Sequence, residues 1–244
     1  MEKESIKLKA FVVGASGASG RELVDYLIHS KEWSEITIIS RRKLDRWNNL
    51  PLSDCSIKFV IVDNLDIMGE PKDKILKLYP ELNLEGYTSV FCCLGSRVKH
   101  GEEEFRKVDQ TYPLYAASLC EKFNINHYSI ISSEGSDPKS CFLYMRVKGE
   151  TEVKLQTMNI KNISIFRPGA ILNRDNDSRC GESFLKCFSF LCCCCLSSIE
   201  CTHLSWAVGY EAEKTASNGF KGTQNIYKNC EIESLYKESI KDKK

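Results

Sequence analysis

The sequence predicts an α/β fold, a doubly wound parallel sheet with a small appendage. Three observations predict it. The run Phe11-Val12-Val13 stops at Gly14, Gly17 and Gly20, three apart, and helix-compatible residues from Arg21 to His29 follow at once. Short β-branched runs then alternate with helical patterns along the chain. A later run, Ser89 to Leu94, again closes on glycine at Gly95, where backbone can pass close to a ligand.

The first of these stretches carries the most chemistry. Glycine suits a turn whose backbone must take unusual dihedrals and approach a ligand closely. The helix that follows points unpaired N–H groups and the positive end of its dipole at whatever anion sits there, and a pyrophosphate fits. The candidate residues are Gly14, Ser16, Gly17, Ala18, Ser19 and Gly20. Their spacing, G-x-x-G-x-x-G, departs from the usual dinucleotide fingerprint G-x-G-x-x-G, so a turn that binds nothing stands as the alternative.

At 244 residues the chain is long enough for one large α/β domain and too short for two of ordinary size. Hydrophobic residues at 42% and charged residues at 27% are those of a globular protein. The net charge of +1 makes nucleic acid no natural partner. Met1-Glu2-Lys3-Glu4-Ser5 has no apolar segment of the secretory kind, and the 13 cysteines, an odd number with a run of four, suit reduced thiols. The expected location is cytoplasmic, with the nucleus open. The longest uncharged stretch, Cys187 to Ile199, is too short for a spanning helix.

Glu35 to Ser40 reads as a second strand, followed by Arg41, Arg42 and Lys43. An acidic residue about 20 positions past the glycines binds the ribose 2′-hydroxyl in NAD sites, whereas arginine accommodates a 2′-phosphate. With two guanidiniums and no acid here, NADP(H) is favoured over NAD(H); a solvated basic turn is the alternative. Ile57 to Val62 reads as a third strand ending at Asp63, where a carboxylate could reach an adenine edge or simply end the strand. Leu65 to Tyr79 is mixed loop and helix. Phe105 to Phe123 reads as a packing helix, long or kinked at Pro113. His127 to Ile131 is a fifth strand ending in Ser132 and Ser133, and after a polar turn Tyr144 opens a helix that also carries Lys148.

Tyr-x-x-x-Lys places two side chains one turn apart on the same helix face. An ammonium beside a phenol favours phenolate, as a general acid or base requires. A serine at the end of the preceding strand can hold a substrate oxygen on which charge develops. The double serine lies 12 and 11 residues before Tyr144.

These residues resemble the short-chain dehydrogenase/reductase superfamily, most closely its atypical branch of Tat-interactive oxidoreductases, with NmrA-like proteins further off. The resemblance rests on Gly14 to Arg21, Ser40 to Leu44, Phe91 to Gly95, Val108-Asp109, Ser132-Ser133, Phe142 to Glu150 and Phe166 to Gly169, and covers about residues 8 to 180. It implies a single NAD(P)-binding Rossmann domain over residues 1–244, with residues about 176–215 contributing a substrate cap. It implies that Gly14, Gly17 and Gly20 sit under the pyrophosphate, that Arg41 and Arg42 meet the 2′-phosphate, and that Asp63 lies near adenine. Leu94 and Gly95 would line the cofactor, and the Arg167-Pro168-Gly169 turn would lie by the nicotinamide. Ser133, or else Ser132, would polarise a substrate carbonyl, Tyr144 would supply the proton, and Lys148 would bind the nicotinamide ribose. Val108-Asp109 stands where the superfamily has a catalytic asparagine.

The implied activity is NADP(H)-dependent reduction of a carbonyl or oxidation of an alcohol on a small molecule, by a monomer or homodimer. The branch also implies an alternative, a regulatory protein that senses NADPH and controls a protein partner. The tract from Gly181 to Leu196, with Cys192 to Cys195 in a row, falls in the cap. An apolar cap segment, acylated cysteines, zinc held by Cys192, Cys195, Cys201 and His203, and redox sensing are its four readings. No metal is expected at the catalytic site.

Overall fold

A computed structural model describes residues 7–47, 55–173 and 197–242. Seven strands form one sheet in the order β3-β2-β1-β4-β5-β6-β9. They are β1 (Leu8–Val13), β2 (Trp33–Ser40), β3 (Ser56–Ile61), β4 (Ser89–Cys92), β5 (His127–Ile131), β6 (Asn162–Arg167) and β9 (Gln224–Lys228). Every pairing is parallel. The chain runs outward from β1 to β3, returns to β4 beside β1, and continues to the other edge, which makes the sheet doubly wound. β7 (Ala170–Leu172) and β8 (Ser198–Glu200) form a separate parallel pair.

Parallel strands are covered on both faces, so their sequences are nearly continuous apolar runs. One face is packed by α2 (Lys72–Leu78), α4 (Tyr112–Phe123) and α5 (Leu143–Gln156), through Ile75, Ala116, Leu119, Phe123 and Leu155. The other carries α1 (Ala18–His29), α6 (Cys201–Ser217) and α7 (Asn229–Asp242), through Leu23, Leu27, Leu204, Val208 and Ile232. Residues 201–215, expected in the cap, are therefore core: Leu204, Ala207, Val208 and Ala212 recur at helical spacing and are buried. The run Cys192 to Cys195 lies outside the described residues, whereas Cys201 is buried and His203 Nδ1 lies 3.0 Å from Glu233. α6 also lays the buried Glu211 over His127 of β5, with Oε2 3.3 Å from the imidazole Nε2.

The long helix expected from Phe105 to Phe123 is interrupted, but not at Pro113. Between α3 (Glu102–Arg106) and α4 lies one π-helical turn, Lys107–Thr111, in which the Tyr112 N–H bonds back to Lys107. Pro113 has no N–H to give the carbonyl of Asp109, four residues earlier. The Thr151 hydroxyl of α5 lies 3.1 Å from that carbonyl instead and shares its one proton between it and the Val147 carbonyl at 2.8 Å. The π turn thus brings Asp109 against α5.

Candidate nucleotide and proton-transfer site

Because the seven strands are parallel, their carboxyl ends share one edge of the sheet. Gly14, Arg41 and Arg42, Asp63, Leu94 and Gly95, Ser132 and Ser133, and Arg167 to Gly169 all follow strand ends and gather there. Arg41, Arg42 and Asp63 are exposed, and the Val62 N–H donates to the Ser40 carbonyl at 3.0 Å, which holds the two strand ends together.

The glycine loop is close-packed backbone. Gly14 has φ +88°, and a Cβ on it would lie 2.7 Å from the Cys93 carbonyl carbon. A Cβ on Gly20 would lie 2.2 Å from the Gly14 carbonyl oxygen. Between them Gly17 is exposed and donates its N–H to Gly14 at 3.0 Å. No side chain caps α1 and its first turn holds no acidic residue, so its N-terminal N–H groups and dipole fit an anion. The Arg21 guanidinium, on the same first turn, reaches the Ser16 carbonyl at 3.4 Å.

Lys148 is 5% exposed, and its ammonium lies 2.9 Å from Asp109 Oδ1. Burial works against its charge, but the Asp109 carboxylate and the Tyr144 phenol outweigh it and raise the lysine well above its ordinary value. Lys148 is therefore a fixed cation. Tyr144, one turn earlier and half-buried, packs against Phe105 with ring centroids 5.7 Å apart. The other Asp109 oxygen, Oδ2, accepts from the Ser96 N–H at 2.8 Å and from the Ser96 hydroxyl at 2.7 Å. Ser96 directly follows Leu94 and Gly95, so one carboxylate joins the end of β4 to the lysine of α5.

The two serines differ in their bonds. Ser133 donates weakly to the Glu134 carbonyl, at 3.2 Å. The Ser132 hydroxyl instead donates to Glu152, whose carboxylate also takes Arg167 Nε at 3.0 Å. A buried carboxylate needs such donors. The Ser132 hydroxyl and the Arg167 guanidinium are thus both engaged by Glu152 in an interior network, which leaves the Ser133 hydroxyl and the Arg167-Pro168-Gly169 backbone at the strand ends. The turn itself is fixed through Pro168, whose carbonyl accepts from Glu134 at 2.8 Å, and Gly169, whose N–H reaches Asn229 at 2.9 Å.

Ser96 was not read as a site residue from sequence, and Asp109 entered only through its place at the superfamily's catalytic asparagine. Pro113, four residues on, also marks the helix that must open. No group of metal-ligating side chains occurs among the described residues.

No protein-family model matches the chain. HTATIP2 of Rattus norvegicus is 33% identical over 194 residues, 76% of this chain and 73% of its own length. Protein FMP52, mitochondrial, of Lodderomyces elongisporus is 25% identical over 225 residues, 89% of this chain and 91% of its own. Among solved structures, a short-chain type dehydrogenase/reductase from Mycobacterium ulcerans superposes with a TM-score of 0.63 at 13% identity, covering 92% of this chain and 90% of its own. That likeness is one of fold, while the identity to HTATIP2 is one of family. The chain belongs to the HTATIP2 family and has a Rossmann-type fold like that of the short-chain dehydrogenase/reductase it superposes on.

Proposed function

We infer that the protein is an NADP(H)-dependent oxidoreductase that reduces a carbonyl, or oxidises an alcohol, on a small molecule. The observation that carries this reading is Lys148, a buried ammonium kept charged one helical turn from the Tyr144 phenol. Such a cation stabilises negative charge on the phenol oxygen, so Tyr144 can give its proton to a substrate oxygen and recover it. The Ser133 hydroxyl, at the end of β5, would donate to the same oxygen as charge develops on it.

The residues at the sheet edge fit a dinucleotide. Gly14, Ser16, Gly17, Ala18, Ser19 and Gly20 would hold the pyrophosphate at the uncapped start of α1, and Arg41 and Arg42, exposed beside it, would take the 2′-phosphate. Asp63 would lie by the adenine, Leu94 and Gly95 along the nucleotide, and the Arg167-Pro168-Gly169 backbone by the nicotinamide, with Lys148 on its ribose. When bound, this cofactor supplies or accepts the hydride. The side chains of the chain position the substrate and move the proton.

The domain reading is a single nucleotide-binding unit over residues 1–244; the cap expected from about residue 176 to 215 falls outside the described residues up to residue 196. No helix among the described residues is long and apolar enough to cross a membrane. The name of the FMP52 relative fits poorly with a strictly cytoplasmic placement.

The test is NADPH oxidation across a panel of aldehydes, ketones and quinones, with Tyr144→Phe as the control. Turnover that the variant lacks supports the reading. Nucleotide binding without turnover on any of them overturns it in favour of a regulatory protein that senses NADPH. Equal affinity for NAD(H) and NADP(H), unchanged when Arg41 and Arg42 are both replaced by alanine, overturns the cofactor choice.

A further inference from the structure

We propose that Asp25, on α1 and outside the glycine loop, is a positioning residue that holds the span carrying Arg41 and Arg42 in place and so sets the preference for a 2′-phosphorylated nucleotide. The proposal rests on the NADP(H) reading of the site. Its geometric basis is a single carboxylate that takes two consecutive residues at the end of that span. Oδ1 accepts the Trp47 indole N–H at 2.7 Å, and Oδ2 accepts Arg46 Nη2 at 2.5 Å.

The span from Arg41 to Arg46 has neither helix nor strand to support it, and every residue in it but Leu44 is exposed. At its start the Ser40 carbonyl accepts the Val62 N–H at 3.0 Å, and the Arg42 N–H reaches the Ser40 hydroxyl at 3.3 Å. Leu44 leans on the core from the middle. At the far end Trp47 is 4% exposed, stacks on Phe59 of β3 with ring centroids 6.4 Å apart, and meets Asp25. Guanidiniums carried between two fixed ends are presented together, which lowers the ordering cost of binding a phosphate. Asp25 also lies one turn beyond Arg21 on the same face of α1, the helix whose uncapped start fits an anion. One rigid helix therefore spaces the pyrophosphate site from the 2′-phosphate site.

The two bonds on Asp25 are unequal. The Arg46 side chain is 44% exposed, and an ion pair at the surface contributes little. Trp47 is buried, and a buried indole N–H that loses its acceptor bears the full cost of desolvation. The anchor is thus the Oδ1 bond, which needs an acceptor but no charge, and an asparagine carbonyl can serve. Charge alone would act in the opposite direction. Removing a carboxylate beside a basic span raises the local positive charge and favours a phosphate, but solvent and salt screen that gain. Loss of the anchor prevails, and binding weakens.

The experiment uses the full chain with Asp25→Ala, Asp25→Asn and Trp47→Phe. Affinities for NADP⁺ and NAD⁺ are measured by calorimetry. Trypsin cleavage after Arg41, Arg42 and Lys43, without nucleotide, is followed by mass spectrometry. Asp25→Ala should bind NADP⁺ about tenfold more weakly with NAD⁺ affinity unchanged, and its span should be cleaved several-fold faster. Asp25→Asn should stay close to the parent in both measurements. Trp47→Phe keeps a ring against Phe59 but has no N–H; it should follow Asp25→Ala and serves if that variant does not fold.

NADP⁺ binding as tight as the parent's, or tighter, in the folded alanine variant overturns the proposal. Parallel weakening of both nucleotides, the mark of a general structural loss, overturns it too, as does unchanged cleavage. A parent that binds NAD⁺ as tightly as NADP⁺ overturns the cofactor reading and the proposal together. A parent that prefers NADP⁺, with an Asp25→Ala variant that prefers it as strongly, overturns the proposal alone.

Discussion

Replacing Gly20 with alanine sets two effects of opposite sign against each other, and the structure decides between them. Gly20 lies in the first turn of α1, where alanine gains about 1 kcal/mol of helix propensity. The added methyl would stand 2.2 Å from the Gly14 oxygen and 2.8 Å from the Ala15 Cα. Both are backbone atoms, and neither can rotate away. The Gly14 oxygen already accepts the Gly17 N–H at 3.0 Å, and Gly14 rests on Cys93, so a retreat costs a hydrogen bond and opens the packing against β4. Overpacking of this kind costs about 1–3 kcal/mol and the lost bond about 1 kcal/mol more, which leaves a net destabilisation of about 1–3 kcal/mol. For a chain of this length that corresponds to a fall in Tm of roughly 3–10 °C. Urea and thermal unfolding of Gly20→Ala measure it, with Gly17→Ala as the internal control. A Cβ on Gly17 would meet only the Gly14 oxygen, at 3.4 Å, so that variant should lose about 1 kcal/mol or less. A Gly20→Ala protein as stable as its parent, or more stable as propensity alone requires, would refute the reasoning.

Two further outcomes follow from the interior. Thr151→Val keeps the side-chain shape but removes the donor to the Asp109 carbonyl, which Pro113 cannot serve; unfolding should show a loss of about 1–3 kcal/mol, against almost none for Thr157→Val on the surface. Burial opposes the charge of Glu211, but its bonds to His127, Thr215 and Ser164 prevail and hold the carboxyl below its ordinary value. A depressed folded value contributes stability above the unfolded value of about 4.5, and that contribution fades as pH falls further through the folded value. The stability difference between the parent and Glu211→Gln should therefore shrink as pH drops below about 4.5; a constant difference from pH 3 to 7 would contradict the assignment.

The parts of the fold legible in the sequence were those set by local chemistry. The first five strands, α1 and the helix of Tyr144 and Lys148 follow from apolar runs and the glycines that end them. β9 was not legible, because Gln224-Asn225-Ile226-Tyr227-Lys228 is an edge strand paired on one side only, with polar residues where a central strand would be apolar. Its strand character comes from β6. The same limit applies to the site. The glycine loop and the Tyr-x-x-x-Lys pair are spaced along one element each and can be read directly. Asp109 reaches Lys148 across 39 positions, and only through a π turn whose missing donor is Pro113 and whose replacement donor is Thr151. Ser132 and Ser133 are adjacent and chemically alike. Only the fold distinguishes them, through Glu152.

The pairing of β1 with β4 also bears on the order in which the molecule can be built. The glycines belong to the first 20 residues, but the surface that Gly14 presses on is Cys93 and Leu94. Closing that contact brings together segments separated by almost 80 positions, with β2, β3 and α2 between them. The entropic cost of so long a loop is met only when the sheet forms across it, so the turn should acquire its shape late in folding rather than at the start. During synthesis the glycines emerge early and wait for β4. A fragment ending before Ser89 would contain the whole loop and have no floor beneath it.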